Sequence, residues 1–172
     1  MIGNGHSAQT DFPLVYDVEE DLTNSYLIEE YLEGESLYAL VKRLGSLSIK
    51  TAAEIGIQVC RLIQFMNTAD NPILYLDLQP KNLLVCNGAV RLIDFDHAQY
   101  AEDVTAFGER YGTIGFAAPE QYRGEPLDCR TDVYAIGALL YYMCRGEPPG
   151  NGFCLGDRSD TWELDRIIRG CM

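Results

Sequence analysis

Near its start the chain shows two short β-prone runs, Leu14 to Val18 and Tyr26 to Leu32, separated by the acidic, Asn-containing stretch Glu19 to Asn24. Aromatic and β-branched residues bounded by turn formers predict two strands joined by a turn, with Gly34 closing the second. The period then changes. Behind Ser48, the apolar residues Ala52, Ile55, Val59, Leu62, Ile63 and Met66 recur at three- and four-residue spacing, which predicts a capped amphipathic helix with its stripe in the core. Leu83 to Cys86 and Ala89 to Ile93 flank Asn87-Gly88, a dipeptide suited to the positive φ of a type I′ turn, and so predict a hairpin. Thr131 to Cys144 predicts a second, more apolar helix, stopped by Gly146 and Pro148-Pro149. Gly150 to Asp160 reads as loop and Trp162 to Cys171 as a final amphipathic helix. Strands, helix, hairpin, long loop and helices in that order predict an α+β fold whose second part is mostly helical. Nothing repetitive or linker-like divides the chain, so one domain over residues 1–172 is expected.

Composition narrows the class of partner. At 172 residues the chain can bury one substantial core. A net charge of −13 argues against nucleic acid and anionic membrane, both of which repel an acidic surface. Asp11, Asp17, Glu19, Glu20, Asp21, Glu29, Glu30, Glu33 and Glu35 all precede Lys42, the first Lys or Arg. That stretch is either a solvated face or a docking surface for a basic protein segment. The six cysteines include no C-x-x-C pair, so reduced thiols and a cytoplasmic setting are expected rather than a zinc site or a disulfide framework. Met1 to Gln9 lacks the cationic and apolar regions of a secretory signal, and Val133 to Cys144 is too short to cross a bilayer. His6 and His97 have no companion at ligand spacing, so neither is expected to bind metal.

Chemistry concentrates around the hairpin. Phosphoryl transfer needs a carboxylate near the attacking hydroxyl and oxygen ligands that hold Mg²⁺ against nucleotide phosphates. Asp77, Asn82 and Asp94 supply these groups, and the turn at Asn87-Gly88 brings the two sides of the hairpin, and hence all three residues, to one end. In order, the chain carries Tyr75-Leu-Asp77-Leu-Gln79-Pro80-Lys-Asn82, Asp94-Phe95-Asp96, Thr113-Ile-Gly115-Phe116 and Ala118-Pro119-Glu120. This succession resembles the protein kinase family, serine/threonine and bacterial in style, from about Leu14 to Cys171. The resemblance implies a kinase-like fold in which residues 1–33 hold two strands and a hinge of the N-terminal lobe, and residues 34–172 form the mostly helical C-terminal lobe with the catalytic-loop hairpin.

It also implies ATP and Mg²⁺ as cofactors and a protein as substrate. Asp77, Asn82 and Thr113 become the catalytic positions, and Asn82 and Asp94 the metal ligands. Glu30, Leu32 and Leu84 become the nucleotide-contacting positions, with the strand Glu30-Tyr31-Leu32 receiving adenine through its backbone. Tyr75 stands where the family's loop histidine packs, and Phe95 is similar to the packing residue after the metal aspartate. Asp132 resembles the buried aspartate that binds the catalytic-loop backbone; a plain carboxylate at a helix N-terminus is the other reading.

The departures matter as much. Leu76 replaces an arginine that pairs with a phosphorylated loop, so control of that kind is not expected. Gln79 replaces a lysine, which removes positive charge from a step that depends on charge neutralisation. Asp96 replaces a glycine and either adds a metal oxygen or faces water. Glu120 lacks the arginine that pairs with it in the family, which is costly if it is buried. No glycine-rich loop or Val-Ala-x-Lys element precedes these motifs, and Gly3-Asn-Gly5 is too short to serve. The expected function is therefore serine/threonine phosphoryl transfer, impaired in this chain alone. The alternative is a pseudokinase-type module that binds a partner without transfer. A small-molecule phosphotransferase of the aminoglycoside or choline type is a third reading, suggested by Leu92-Ile-Asp94-Phe-Asp96-His-Ala98 and opposed by Gly112 to Glu120. Two strands alone leave open edges, so a homo-oligomer or a basic protein partner that completes the sheet is expected.

Overall fold

A computed structural model of the chain describes residues 12–104, 112–150, 154–155 and 161–172. The sequence readings on Gly3-Asn-Gly5, His6 and most of Gly150 to Asp160 lie outside these residues.

Strands β1 (Val15–Glu20) and β2 (Ser25–Glu29) form an antiparallel hairpin of their own. Its turn is built on Asp21, whose Oδ1 accepts the backbone N–H groups of Thr23 at 2.7 Å and Asn24 at 2.8 Å, the bonding pattern that makes Asp a turn former. Those bonds, with one from the Tyr26 hydroxyl, hold the Asp21 carboxyl well below the usual carboxylate range. The second strand ends earlier than expected. Glu30 N–H donates to Leu14 O at 2.8 Å, which closes the ladder, and the chain leaves irregularly, so Glu30-Tyr31-Leu32 is not strand. Among the described residues nothing covers the hairpin, and Val15, Tyr16, Val18 and Leu27 are each more than half exposed.

Gly34 does not close a strand either. A Cβ there would lie 2.5 Å from Cys86 Sγ and 3.1 Å from Val85 O, so glycine lets the chain pass close over the next sheet. That sheet has the order β3-β5-β6, antiparallel throughout, from β3 (Glu35–Ser36), β5 (Leu83–Cys86) and β6 (Ala89–Leu92). Its β5–β6 turn has Asn87 at φ 52° and Gly88 at φ 85°, as the Asn-Gly pair requires. Two further short strands, β4 (Ile73–Leu74) and β7 (Gln99–Tyr100), pair antiparallel with each other as a separate sheet.

Helix α1 (Leu37–Leu44) was not anticipated, although Ser36 Oγ accepts Ala39 N–H at 3.2 Å at its start and Gly45 ends it at φ 80°. Helix α2 (Ile49–Asn67) is capped by Ser48, and all six residues of the expected stripe are buried. It reaches the hairpin turn through Gln58, which donates to Gly88 O at 3.1 Å and accepts Val90 N–H at 3.0 Å. After the short α3 (Pro119–Arg123), helix α4 (Cys129–Arg145) starts at the cap Asp128 and stops at Gly146 in the left-handed region. Gly56 lets α2 and α4 approach, since a Cβ there would sit 2.6 Å from Leu140 Cδ2. Helix α5 (Trp162–Cys171) covers the span expected for it and packs on α4. Val59, Leu83, Leu92, Leu139, Met143 and Ile168 meet in the core with at most 1% exposure, each such burial being worth about 1.5–3 kcal/mol. Among the described residues no helix is long and apolar enough to cross a membrane.

Candidate active site

The site grows from the loop between β4 and a single 3-10 turn at Pro80–Asn82. Leu76 in this loop has φ 65°, a conformation that L side chains other than Asn and Asp seldom adopt. Something must hold it. Asp132 of α4 is 0% exposed and accepts Tyr75 N–H at 3.0 Å and Leu76 N–H at 2.9 Å, while Gln121 Nε2 donates to Leu76 O at 2.8 Å. The reading of Asp132 as a buried anchor of the loop, rather than a plain carboxylate at a helix N-terminus, is the observed one. Burial pushes the Asp132 carboxyl up from its ordinary value, against the lowering effect of the two N–H bonds.

Tyr75 ties the loop to the far side of the hairpin. Its ring is 0% exposed, and its hydroxyl hydrogen is shared between Ile93 O at 2.6 Å and Asp94 O at 2.8 Å. Phe95 meets that ring edge-on, with centroids 5.6 Å apart. The backbone adds a second tie, Ile93 N–H to Asn82 O at 3.0 Å.

These constraints bring Asp77, Asn82 and Thr113 together. Asp77 Oδ2 accepts from Asn82 Nδ2 at 2.9 Å and from Gln79 Nε2 at 2.8 Å; Asp77 Oδ1 accepts from Thr113 Oγ1 at 2.8 Å. Asn82 also donates to Asp77 O at 3.0 Å, so its Nδ2 is spent on Asp77 and its oxygen is the hard donor it can offer a cation. Asp94 stands exposed at φ 65°, and the contact to one of its oxygens is a long 3.4 Å approach from Asp96 N. Asp96 is likewise exposed.

Among the described residues there is no group of three or more His, Cys, Asp or Glu side chains fit to hold a metal ion. Mg²⁺ takes one or two protein carboxylates and completes its octahedron with phosphate and water oxygens. Asn82 and Asp94, one on each side of the hairpin, are the residues that would hold such an ion.

The three expected nucleotide-contacting residues lie on two separate segments, Glu30 and Leu32 just after β2 and Leu84 in β5. Glu30 turns its Oε2 back to Leu14 N–H at 3.3 Å, and Leu32 lies in the irregular segment. Leu84 is half-buried in the middle of its sheet, opposite Ser36 on one side and Arg91 on the other. Glu120 is only partly buried and accepts Thr131 Oγ1 at 3.0 Å, so the expected cost of an unpaired buried charge is relieved by a neutral donor. Sequence reasoning missed Gln121, a buried residue whose Oε1 accepts Ala118 N–H at 2.9 Å while its nitrogen holds Leu76. Its place right after Ala118-Pro119-Glu120 was the available signal.

Serine/threonine-protein kinase PknB of Mycobacterium tuberculosis is 34% identical over 147 residues, which is 80% of this chain and 23% of that protein. PknB of Mycolicibacterium smegmatis is 35% identical over 144 residues, 78% of this chain and 23% of that protein. PknB of Mycobacterium leprae is 34% identical over 143 residues, again 78% and 23%. The chain thus spans less than a quarter of the length of these relatives. The family model described as "Protein kinase domain" matches residues 14–161, a span that holds every element from β1 to α4 and all the residues clustered at Asp77, and on that match the chain belongs to the protein kinase domain family.

Proposed function

We propose that this chain carries out serine/threonine phosphoryl transfer from ATP to a protein hydroxyl, with Asp77 at the acceptor and Asn82 and Asp94 at the metal. The observation that carries the reading is the uneven loading of Asp77. Its Oδ2 holds two donors and its Oδ1 holds one, so Oδ1 keeps a lone pair for an incoming hydroxyl. From there the carboxylate orients the hydroxyl and takes its proton as the oxygen becomes nucleophilic. Mg²⁺ bound with ATP supplies charge neutralisation on the transferred group. Thr113 holds Oδ1 from the segment that leads into α3, and so couples the position of that segment to the carboxylate. Asp132, Gln121 and Tyr75 fix the loop beneath it.

A second reading, binding without transfer, is favoured by one feature. All three side-chain donors on Asp77 are neutral, and Gln79 occupies the place where a cation would aid transfer. Calorimetric titration with MgATP and a radiolabel transfer assay separate the two. We expect Asp94→Asn to weaken Mg²⁺-dependent nucleotide binding about tenfold or more without lowering the melting temperature. Asp77→Asn should retain nucleotide binding and lose transfer by about 10²-fold or more. Transfer by Asp77→Asn at the parent's rate would assign Asp77 a structural role, and unchanged MgATP affinity in a folded Asp94→Asn would remove Asp94 from the metal. Because these 172 residues supply no glycine-rich loop of their own, slow absolute rates are expected of them as an isolated polypeptide.

A further inference from the structure

Several cations among the described residues are neutralised close by. Arg43 pairs with Glu35 at 2.6 Å, Arg130 with Asp128 at 2.6 Å, Arg169 with Asp165 at 2.6 Å and Arg123 with Glu125 at 3.8 Å. Lys42 and Lys81 differ. Among the described residues neither makes an ion pair or a hydrogen bond; instead both ammonium groups lie over the ring of Tyr38, at 5.8 Å and 5.6 Å from its centroid.

An aromatic face attracts a cation within about 6 Å of its centroid, which accounts for either lysine alone. Two on one ring repel each other, and an anion placed beside them relieves that repulsion. Glu35, two residues ahead of α1, is already engaged by Arg43 at both its oxygens, at 3.1 Å and 2.6 Å. Place matters as much as charge. Tyr38 and Lys42 lie one turn apart on α1, and Lys81 comes from the 3-10 turn, so the ring is where α1 meets the catalytic loop. Lys81 immediately precedes Asn82 and follows Gln79 by two residues, and both of those side chains hold Asp77 Oδ2. The exposed Lys81 thus belongs to the same short turn as Asn82, and Lys42 joins it across the Tyr38 ring.

We infer that Tyr38, Lys42 and Lys81 form an anion-selecting subsite for the acceptor protein, taking an Asp or Glu side chain close in sequence to the hydroxyl-bearing residue. The inference rests on the transfer reading for which molecule is the acceptor, while the charge selection stands on the lysines themselves. A basic flanking segment is repelled at this position.

Fluorescence anisotropy tests it, using labelled peptides with one serine in an Ala/Gly background flanked by Asp, Asn or Lys. The Asp peptide should bind tightest and the Lys peptide weakest, with Asp favoured over Asn roughly threefold to tenfold. The advantage should shrink when salt is raised from about 0.05 M to about 0.3 M. The Lys42→Glu/Lys81→Glu variant should invert the order of Asp and Lys peptides, and Lys42→Gln/Lys81→Gln, the milder change should the first not fold, should abolish it. Asn peptide bound as tightly as Asp by the parent, or the parent's order retained in either folded variant, overturns the subsite. MgATP calorimetry on the same sample keeps the two readings apart. No nucleotide heat with Asp preference intact removes transfer and leaves acidic-peptide recognition, whereas nucleotide binding without Asp preference removes the subsite alone.

Discussion

In the proposed transfer reaction Gln79 stands beside the acceptor carboxylate. Its amide sits 2.8 Å from Asp77 Oδ2, close enough to fix the carboxylate but without charge to offer a transferring phosphoryl group. We expect Gln79→Lys to raise kcat by about tenfold or more with little change in the KM for ATP, since a cation there stabilises charge that develops only in the transition state. An unchanged kcat in a folded variant would show that neutralisation comes from elsewhere. Much of this site was readable from residue types. Asp77, Asn82 and Asp94 lie near one another along the chain, and Asn87-Gly88 dictates how they meet. The bond from Thr113 to Asp77 spans 36 positions and depends on the path of an irregular segment, which no local pattern encodes. Gln58 was illegible for a related reason: a glutamine in sequence is a surface residue by default, and only the fold shows it holding the backbone of the hairpin turn.

At the scale of elements, caps decided what was legible. Helices α2 and α5 announce themselves through long stripes, whereas α1 has eight residues and too few periodic positions to rise above its surroundings. The error on β2 came from apolar residues, Tyr31 and Leu32, that continue the strand composition after its ladder has closed. Helix α4 gains its first turn from Asp128, which accepts Arg130 N–H at 2.8 Å. The Arg130 guanidinium, and then its backbone N–H, hold the Asp128 carboxyl below its ordinary value. A depressed value means that the stabilisation is present above the unfolded-state carboxylate range and is lost as pH falls through the folded value. We therefore expect Asp128→Ala to cost about 1 kcal/mol at pH 7 and progressively less towards pH 3, by denaturant unfolding followed with circular dichroism. An equal cost at both pH values would mean that the carboxylate is not the cap.

For the whole molecule, the unresolved balance lies in the β1–β2 hairpin. Two strands without a covered face are marginal in water, yet Val18 and Leu27 face each other there at 60% and 59% exposure. We expect the hairpin either to associate with a second copy or to recruit a basic strand, and its own acidity gives the first case a signature. Copies of a surface bearing Asp17, Glu19, Glu20 and Glu29 repel one another, so self-association should strengthen as salt screens that repulsion. Light scattering over a concentration series at low and high salt reads this directly, with Leu27→Asp expected to lower it. A chain that stays monomeric throughout would leave only the basic partner. This salt dependence is opposite in sign to that expected for peptide capture by Lys42 and Lys81, so one titrant distinguishes the two surfaces.

The choice of Tyr75 also bears on how activity responds to acidity. Burial pushes its hydroxyl above the ordinary phenol range, so the donor that spans Ile93 O and Asp94 O keeps its proton in acid and in mild alkali alike. An imidazole in the same place would change charge between about pH 5 and 8 and loosen or tighten the loop as it did so. Here the mechanical link between the loop and Asp94 is blind to pH across that interval, and an inflection in a rate profile there reports on some other group.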